Sequence, residues 1–170
     1  MSDQKKNSSF KKLTAKERKE KLEAIIPDIK KLAVEYYRLT GKPLGVTGEI
    51  AELTAAKILK LELATARTKG YDAIRRSTTG KEERIQIKGR ALEKKPKSGQ
   101  RLSRIKTNAP CDYVQFVELD ISTFDLRGIW EAPYKKIVEL LERPGSSARA
   151  KGALGLQTFK KNAVQIWPKK

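Results

Sequence analysis

Residues 71–90, YDAIRRSTTGKEERIQIKGR, constrain this chain more than any other stretch. Two short runs of strand character, 71–75 and 84–89, flank the turn-forming cluster Ser77-Thr78-Thr79-Gly80, and the pattern predicts a β-hairpin. In a hairpin centred on Thr79, residues equidistant from the centre face each other, so Asp72 falls opposite Gln86. Side chains alternate along a strand, which sends Gln86, Lys88 and Arg90 to one face and Ile85 and Ile87 to the other. The polar face thereby gathers a carboxylate, an amide carbonyl, an ammonium and a guanidinium. A divalent cation and a phosphate held together require that set of groups.

The charge balance agrees. Of 170 residues, 38 are Lys or Arg and 20 are Asp or Glu, a formal net charge of +18. Such an excess repels itself in a compact state and is neutralised by an anionic partner, nucleic acid ahead of membrane lipid or acidic protein. The length suits one domain over 13–170, preceded by a basic disordered arm at 1–12 that either solubilises the chain or grips phosphates. The chain has no histidine and a single cysteine, Cys111. Zinc sites, Ser-His triads and intrachain disulfides are therefore excluded, and Cys111 reads as a small, partly buried residue opening a strand. No apolar run approaches the roughly 18 residues of a membrane span, and the lysine-rich start lacks an apolar signal segment. The expected location is cytoplasmic or nucleoid-associated, not secreted.

Ahead of the hairpin, Thr14 and Glu17 have the spacing of a capping box for a helix over 14–21. Ile29, Leu32, Ala33, Tyr36 and Tyr37 predict an amphipathic helix over 27–39, with the two tyrosines read as core rather than base-stacking residues. Thr40-Gly41-Lys42-Pro43 breaks it, and Thr47 is the expected N-cap of a helix running to about residue 61. Glu49 falls in the first turn, where the helix dipole alone favours a carboxylate. Glu52 shares a stripe with Ala55, Ala56 and Leu59, residues fit for close packing on a sheet. A carboxylate there needs a cation, either a buried lysine or arginine or a metal shared with Asp72.

Beyond the hairpin, 93–108 lacks periodicity and reads as a loop. Its Lys94, Lys95, Lys97, Arg101, Arg104 and Lys106 either grip a phosphate backbone or form a solvated insertion. Strands are predicted over 111–119 and 124–130, then a helix over 134–142 opened by Pro133 and stopped by Pro144-Gly145. A short strand at 154–156, a helix-like 159–166 and a further strand within 62–68 complete the reading. The order implies an α/β (mixed α+β) fold with helices flanking a central sheet.

Three runs, Glu52-Leu53-Thr54-Ala55-Ala56-Lys57-Ile58-Leu59, Gly70-Tyr71-Asp72-Ala73-Ile74 and Ile85-Gln86-Ile87-Lys88-Gly89-Arg90, resemble the motifs of the PD-(D/E)xK nuclease superfamily. That superfamily includes type II restriction enzymes, archaeal Holliday-junction resolvases and nuclease domains of repair proteins, and the likeness covers residues 45–131. It implies a restriction-endonuclease-like central mixed sheet and a Mg²⁺ or Mn²⁺ ion held by Asp72, Gln86 and Glu52. Lys88 would orient the attacking water, and Arg90 would hold a neighbouring phosphate. Tyr71 stands where the motif's proline would be, and Gln86 where it has an acid. An amide oxygen can ligate a hard cation but brings no charge, so metal affinity leans on Asp72 with Glu52 or Glu49.

Three functions follow as alternatives. The first is a Mg²⁺-dependent DNA endonuclease of restriction or repair type, acting on duplex DNA as a monomer or homodimer. The second is a nuclease-fold DNA-binding module without chemistry, and the third is a basic RNA-binding protein.

Overall fold

The computed structural model describes residues 13–65 and 67–168, so the arm expected at 1–12 lies outside the described residues. Strands β1 (Glu62–Leu63), β2 (Ala73–Arg76), β3 (Glu82–Leu92), β4 (Tyr113–Asp120), β5 (Leu126–Pro133) and β6 (Val164–Trp167) form one sheet in that spatial order. Neighbours are antiparallel except β3 and β4, which run parallel. A parallel neighbour needs a crossover rather than a hairpin. Segment 93–112 provides it.

The β2–β3 hairpin has the Thr79-centred register. Ala73 pairs with Ile85, Ile74 with Arg84, Arg75 with Glu83 and Arg76 with Glu82. One step further out, Asp72 falls opposite Gln86. The turn closes through Ser77 N–H to Lys81 O (2.9 Å) and Gly80 N–H to Ser77 O (3.0 Å), with Gly80 at φ +79°. Few non-glycine residues adopt that φ.

Alternation along β3 and β4 sends apolar side chains to both faces of the sheet, and each face is covered by helix. Ile85 and Ile87 join Val117, Leu119 and Ile129 in a core closed by Ile50, Ala51 and Ala55 of α2 (Thr47–Leu59). On the other face, Val114, Phe116 and Ala132 pack with Ile137, Leu140 and Leu141 of α3 (Tyr134–Glu142) and with Leu156 and Phe159 of α5 (Leu156–Lys161). A short helix, α4 (Ser147–Ala150), links α3 to α5. The fold is thus mixed α/β, a six-stranded mixed sheet flanked by helices.

Several local expectations are revised. Helix α1 (Ala15–Thr40) is one helix with Pro27 inside it, not two helices meeting there. The Thr14–Glu17 capping box does form, with Thr14 N–H to Glu17 Oε2 at 2.7 Å and Glu17 N–H to Thr14 Oγ1 at 3.2 Å. Tyr36 is 40% exposed rather than core. The N-cap of α2 is Val46, and Thr47 is already helical. Residues 159–166 divide into the end of α5 and the start of β6. The basic loop is tied down by main-chain bonds, Leu102 N–H to Leu154 O (2.8 Å), Ile105 N–H to Gly152 O (2.9 Å) and Leu156 N–H to Gln100 O (3.0 Å). Its Leu102 and Ile105 are buried in the α3–α5 core. No helix among the described residues is long and apolar enough to cross a membrane.

Helix α2 can approach β3 because residue 89 has no side chain. A Cβ on Gly89 would collide with Ala51 Cβ and stand 2.8 Å from Thr47 O. Gly89→Ala therefore forces the helix off the strand and should cost about 1–3 kcal/mol. A urea titration should show a lower midpoint at unchanged slope. An unaltered midpoint would mean that α2 does not pack there.

Candidate active site

Asp72 sits immediately before β2 and is fixed at both ends. Its amide donates to Ile85 O (2.8 Å), and its Oδ2 accepts the amide of Ile87 (2.7 Å). The carboxylate is thus pinned against the edge of β3 beside Gln86. Gln86 is only 6% exposed. Its Nε2 donates weakly to Gly70 O at 3.4 Å, an orientation only the NH₂ end can satisfy. Its Oε1 is buried with no hydrogen-bond partner. Stripping an amide carbonyl of water without giving it a donor costs about 1–3 kcal/mol. A cation at that oxygen would remove the penalty.

Lys88, half-buried, follows two residues along the same face. The close approach at Gly89 brings the half-buried Glu52 of α2 to this neighbourhood. Its carboxyl is pushed up to about 7, chiefly by burial, then by the negative charges of Asp72 and Glu49, while the Lys88 ammonium pulls the other way. The four charges therefore share one electrostatic environment. Glu49 is exposed, so Glu52 is the helix acid better placed to act with Asp72. Among the described residues, no three Asp, Glu, Cys or His side chains gather closely enough to hold a metal ion. A cation here would rest on two carboxylates, Asp72 and Glu52, and the amide oxygen of Gln86. The orphaned oxygen is the feature that fits such a group. Cys111 takes no part: burial pushes its thiol up to about 11, and Sγ donates to Tyr113 O at 3.0 Å.

Arg90 continues the row, and its Nε is also buried without a partner. Glu118 lies across from it on β4, but that carboxylate is bonded by Lys160 and approached by Arg127 at 4.0 Å. Lys94, Lys95, Lys97, Arg101, Arg104 and Lys106 are all exposed, and none forms an ion pair among the described residues. They do not enter the Asp72–Gln86 site. They stand on a loop anchored through Leu102 and Ile105 to the α3–α5 core, on the sheet face from which Gln86, Lys88 and Arg90 project.

Sequence reasoning missed one basic feature. A cleft of about 830 Å³ between 104–108 and 141–152 is lined by Arg104, Lys106, Arg143, Arg149 and Lys151, with Glu142 its one acid. Arg149 donates through Nε to Arg143 O (3.2 Å) and through a terminal nitrogen to Pro144 O, so it shapes the corner. Arg143 and Lys151 face solvent. The basic composition of 143–151 was visible, but its proximity to Arg104 comes from the long-range loop pairing. No family model and no curated protein matches the chain.

The Glu52 environment has a measurable sign. The unfolded chain releases this proton near the ordinary 4.5, the folded chain near 7. Between those values the folded state holds the extra proton, so stability falls as pH rises from 4.5 to 7 and is level above. Glu52→Gln keeps the shape and removes the charge. In metal-free urea titrations it should stabilise the protein by about 1 kcal/mol at pH 8, discounted for partial exposure, and by nothing near pH 4.5. An equal effect at both pH values would contradict the assigned environment.

Proposed function

We propose that this chain is a Mg²⁺-dependent endonuclease of duplex DNA, of the PD-(D/E)xK type, with an amide at the second acidic position. The observation that carries the proposal is Gln86 Oε1, buried and unpartnered opposite a carboxylate fixed by a main-chain amide. Asp72, Gln86 Oε1 and Glu52 would hold the ion. Bound there, Mg²⁺ or Mn²⁺ would polarise the scissile phosphate and lower the pKa of a coordinated water.

The chain's own residues divide the remaining work. Lys88 orients the attacking water and offsets the negative charge that grows on the phosphoryl oxygens. Arg90, with Nε unpaired, holds the adjacent phosphate. The exposed loop cations and the basic cleft seat the backbone without reading bases. Cleavage should strengthen as pH rises through about 7, because Glu52 must lose its proton to act as a ligand.

One observation favours a second reading. Only two carboxylates, Asp72 and Glu52, would serve the site, and among the described residues no three acidic side chains gather closely enough to hold a metal ion. A nuclease fold that binds DNA without cutting it would also tolerate that arrangement.

Substitutions separate the two. Asp72→Ala and Lys88→Ala should each reduce Mg²⁺-dependent plasmid cleavage by about 100-fold or more. Their effects on DNA binding in EDTA should be opposite in sign. Removing Asp72 deletes a negative charge beside the phosphate and leaves affinity equal or tighter, whereas removing Lys88 weakens it by one phosphate contact's share. Gln86→Glu should tighten Mg²⁺ binding, measured calorimetrically. If duplex, branched and single-stranded DNA all survive Mg²⁺ and Mn²⁺, and Asp72→Ala alters neither metal nor DNA affinity, the binding module is the better account. Preference for structured RNA over duplex DNA in competition would overturn both readings.

A further inference from the structure

Helix α1 carries an apolar stripe wider than the surface the sheet covers. Ala33 is buried, and Ile29 and Val34 pack on the α2 core. Leu22, Ile25, Leu32, Tyr36 and Leu39 remain 41, 51, 59, 40 and 79% exposed. These are five of the seven large exposed hydrophobics among the described residues, so the exposure is concentrated on one element. With Ile29 they fall at positions 22, 25, 29, 32, 36 and 39. Steps of three and four alternate along that series, which is the a/d seam of a heptad. Every residue over 16–25 is exposed, so the N-terminal turns of the helix have no tertiary support. An isolated helical stretch of that length is marginal in water.

We propose that the seam is a homodimer interface in which α1 of a second copy packs antiparallel, about a two-fold axis. Three features favour a second copy in that orientation. An antiparallel alignment lays Leu22 and Ile25 of one helix against Leu32 and Ile29 of the other. The unsupported half of each helix then covers the exposed half of its partner. The flank of the seam carries Lys21 near one end and Glu35 towards the other, so the antiparallel alignment juxtaposes opposite charges twice, while the two Asp28 carboxylates, each 3.5 Å from its own Lys31, meet at the axis. A parallel alignment would set Lys21 beside Ile26 and lose both pairs. Finally, α1 holds seven Lys or Arg and five Asp or Glu, so nearly all of the +18 lies elsewhere. Two copies of so basic a chain therefore meet on this helix with little net repulsion. None of its residues belongs to the Asp72–Gln86 site, so the interface does not depend on the nuclease reading.

Sedimentation equilibrium of the full chain tests the interface. The parent should be dimeric at micromolar concentration, and Ile25→Glu combined with Leu32→Glu should be monomeric. Lys21→Glu should weaken the dimer about tenfold, since two attractive pairs become repulsive, and adding Glu35→Lys should restore it. That swap touches only exposed side chains, so it reports on the interface even if the double glutamate variant folds poorly. Oxidising a mixture of Ile25→Cys and Ile29→Cys chains should cross-link the two to each other. A parent that stays monomeric at high micromolar concentration would overturn the proposal, as would a dimer indifferent to these changes. Cross-links between like chains alone would overturn the antiparallel arrangement.

Discussion

A single hydrogen bond couples the register of the hairpin to the chemistry of the site. Asp72 Oδ2 accepts the amide of Ile87 at 2.7 Å, while the amide of Asp72 donates to Ile85 O at 2.8 Å. The carboxylate thus occupies the edge position of β3 where β2 has not yet begun. Slipping the pairing by one residue would turn Ile87 to the polar face and Gln86 and Lys88 into the α2 core. The tight turn closing on Ser77 opposes such a slip, as does the pairing of β3 with β4 along its other edge.

Charges are treated differently here from elsewhere in the sheet. Arg75 bonds Glu83 at 2.8 Å and Glu131 at 2.8 Å, and Gln115 Nε2 reaches the same Glu131 at 2.8 Å. Glu118 is paired with Lys160, whose ammonium also lies 3.9 Å from the centre of the Trp130 ring. Those networks neutralise their own members. At the hairpin, the Asp72 charge acts on the Glu52 carboxyl of α2 with Lys88 as partial compensation, and the Gln86 amide oxygen opposite Asp72 is left without a donor. Four buried side-chain atoms lack partners among the described residues, and two of them, Gln86 Oε1 and Arg90 Nε, lie on one face of one strand. A site short of positive charge and hydrogen-bond donors at one end, with an uncommitted guanidinium at the other, suits a cation bridging to a phosphate.

The parts of the molecule that could be read from sequence are those set by neighbours along the chain. The hairpin register follows from the turn cluster and from alternation, both local. Helix α3 was legible because Pro133 opens it and Pro144-Gly145 follows it. The stripe of Glu52, Ala55 and Ala56 announced a helix packed closely on the sheet. What escaped was non-local. The parallel β3–β4 pairing, the anchoring of Leu102 and Ile105 and the cleft shared by Arg104 and Arg143 all depend on segments distant in sequence. Pro27 misled for a related reason: the loss of one amide is a local signal of a helix start, and the surrounding helix-forming residues outweigh it. Tyr36 misled because an apolar stripe records what is to be covered and not which surface covers it.

If Glu52, Asp72 and Gln86 together hold a divalent ion, anomalous diffraction from crystals soaked in Mn²⁺ at pH 8, above the Glu52 value of about 7, will reveal it. One peak is expected within coordination distance of Asp72, Glu52 and Gln86 Oε1, about 2.0–2.3 Å from each oxygen. An empty map at saturating Mn²⁺, with the Gln86 carbonyl bonded instead to a protein or water donor, would contradict it.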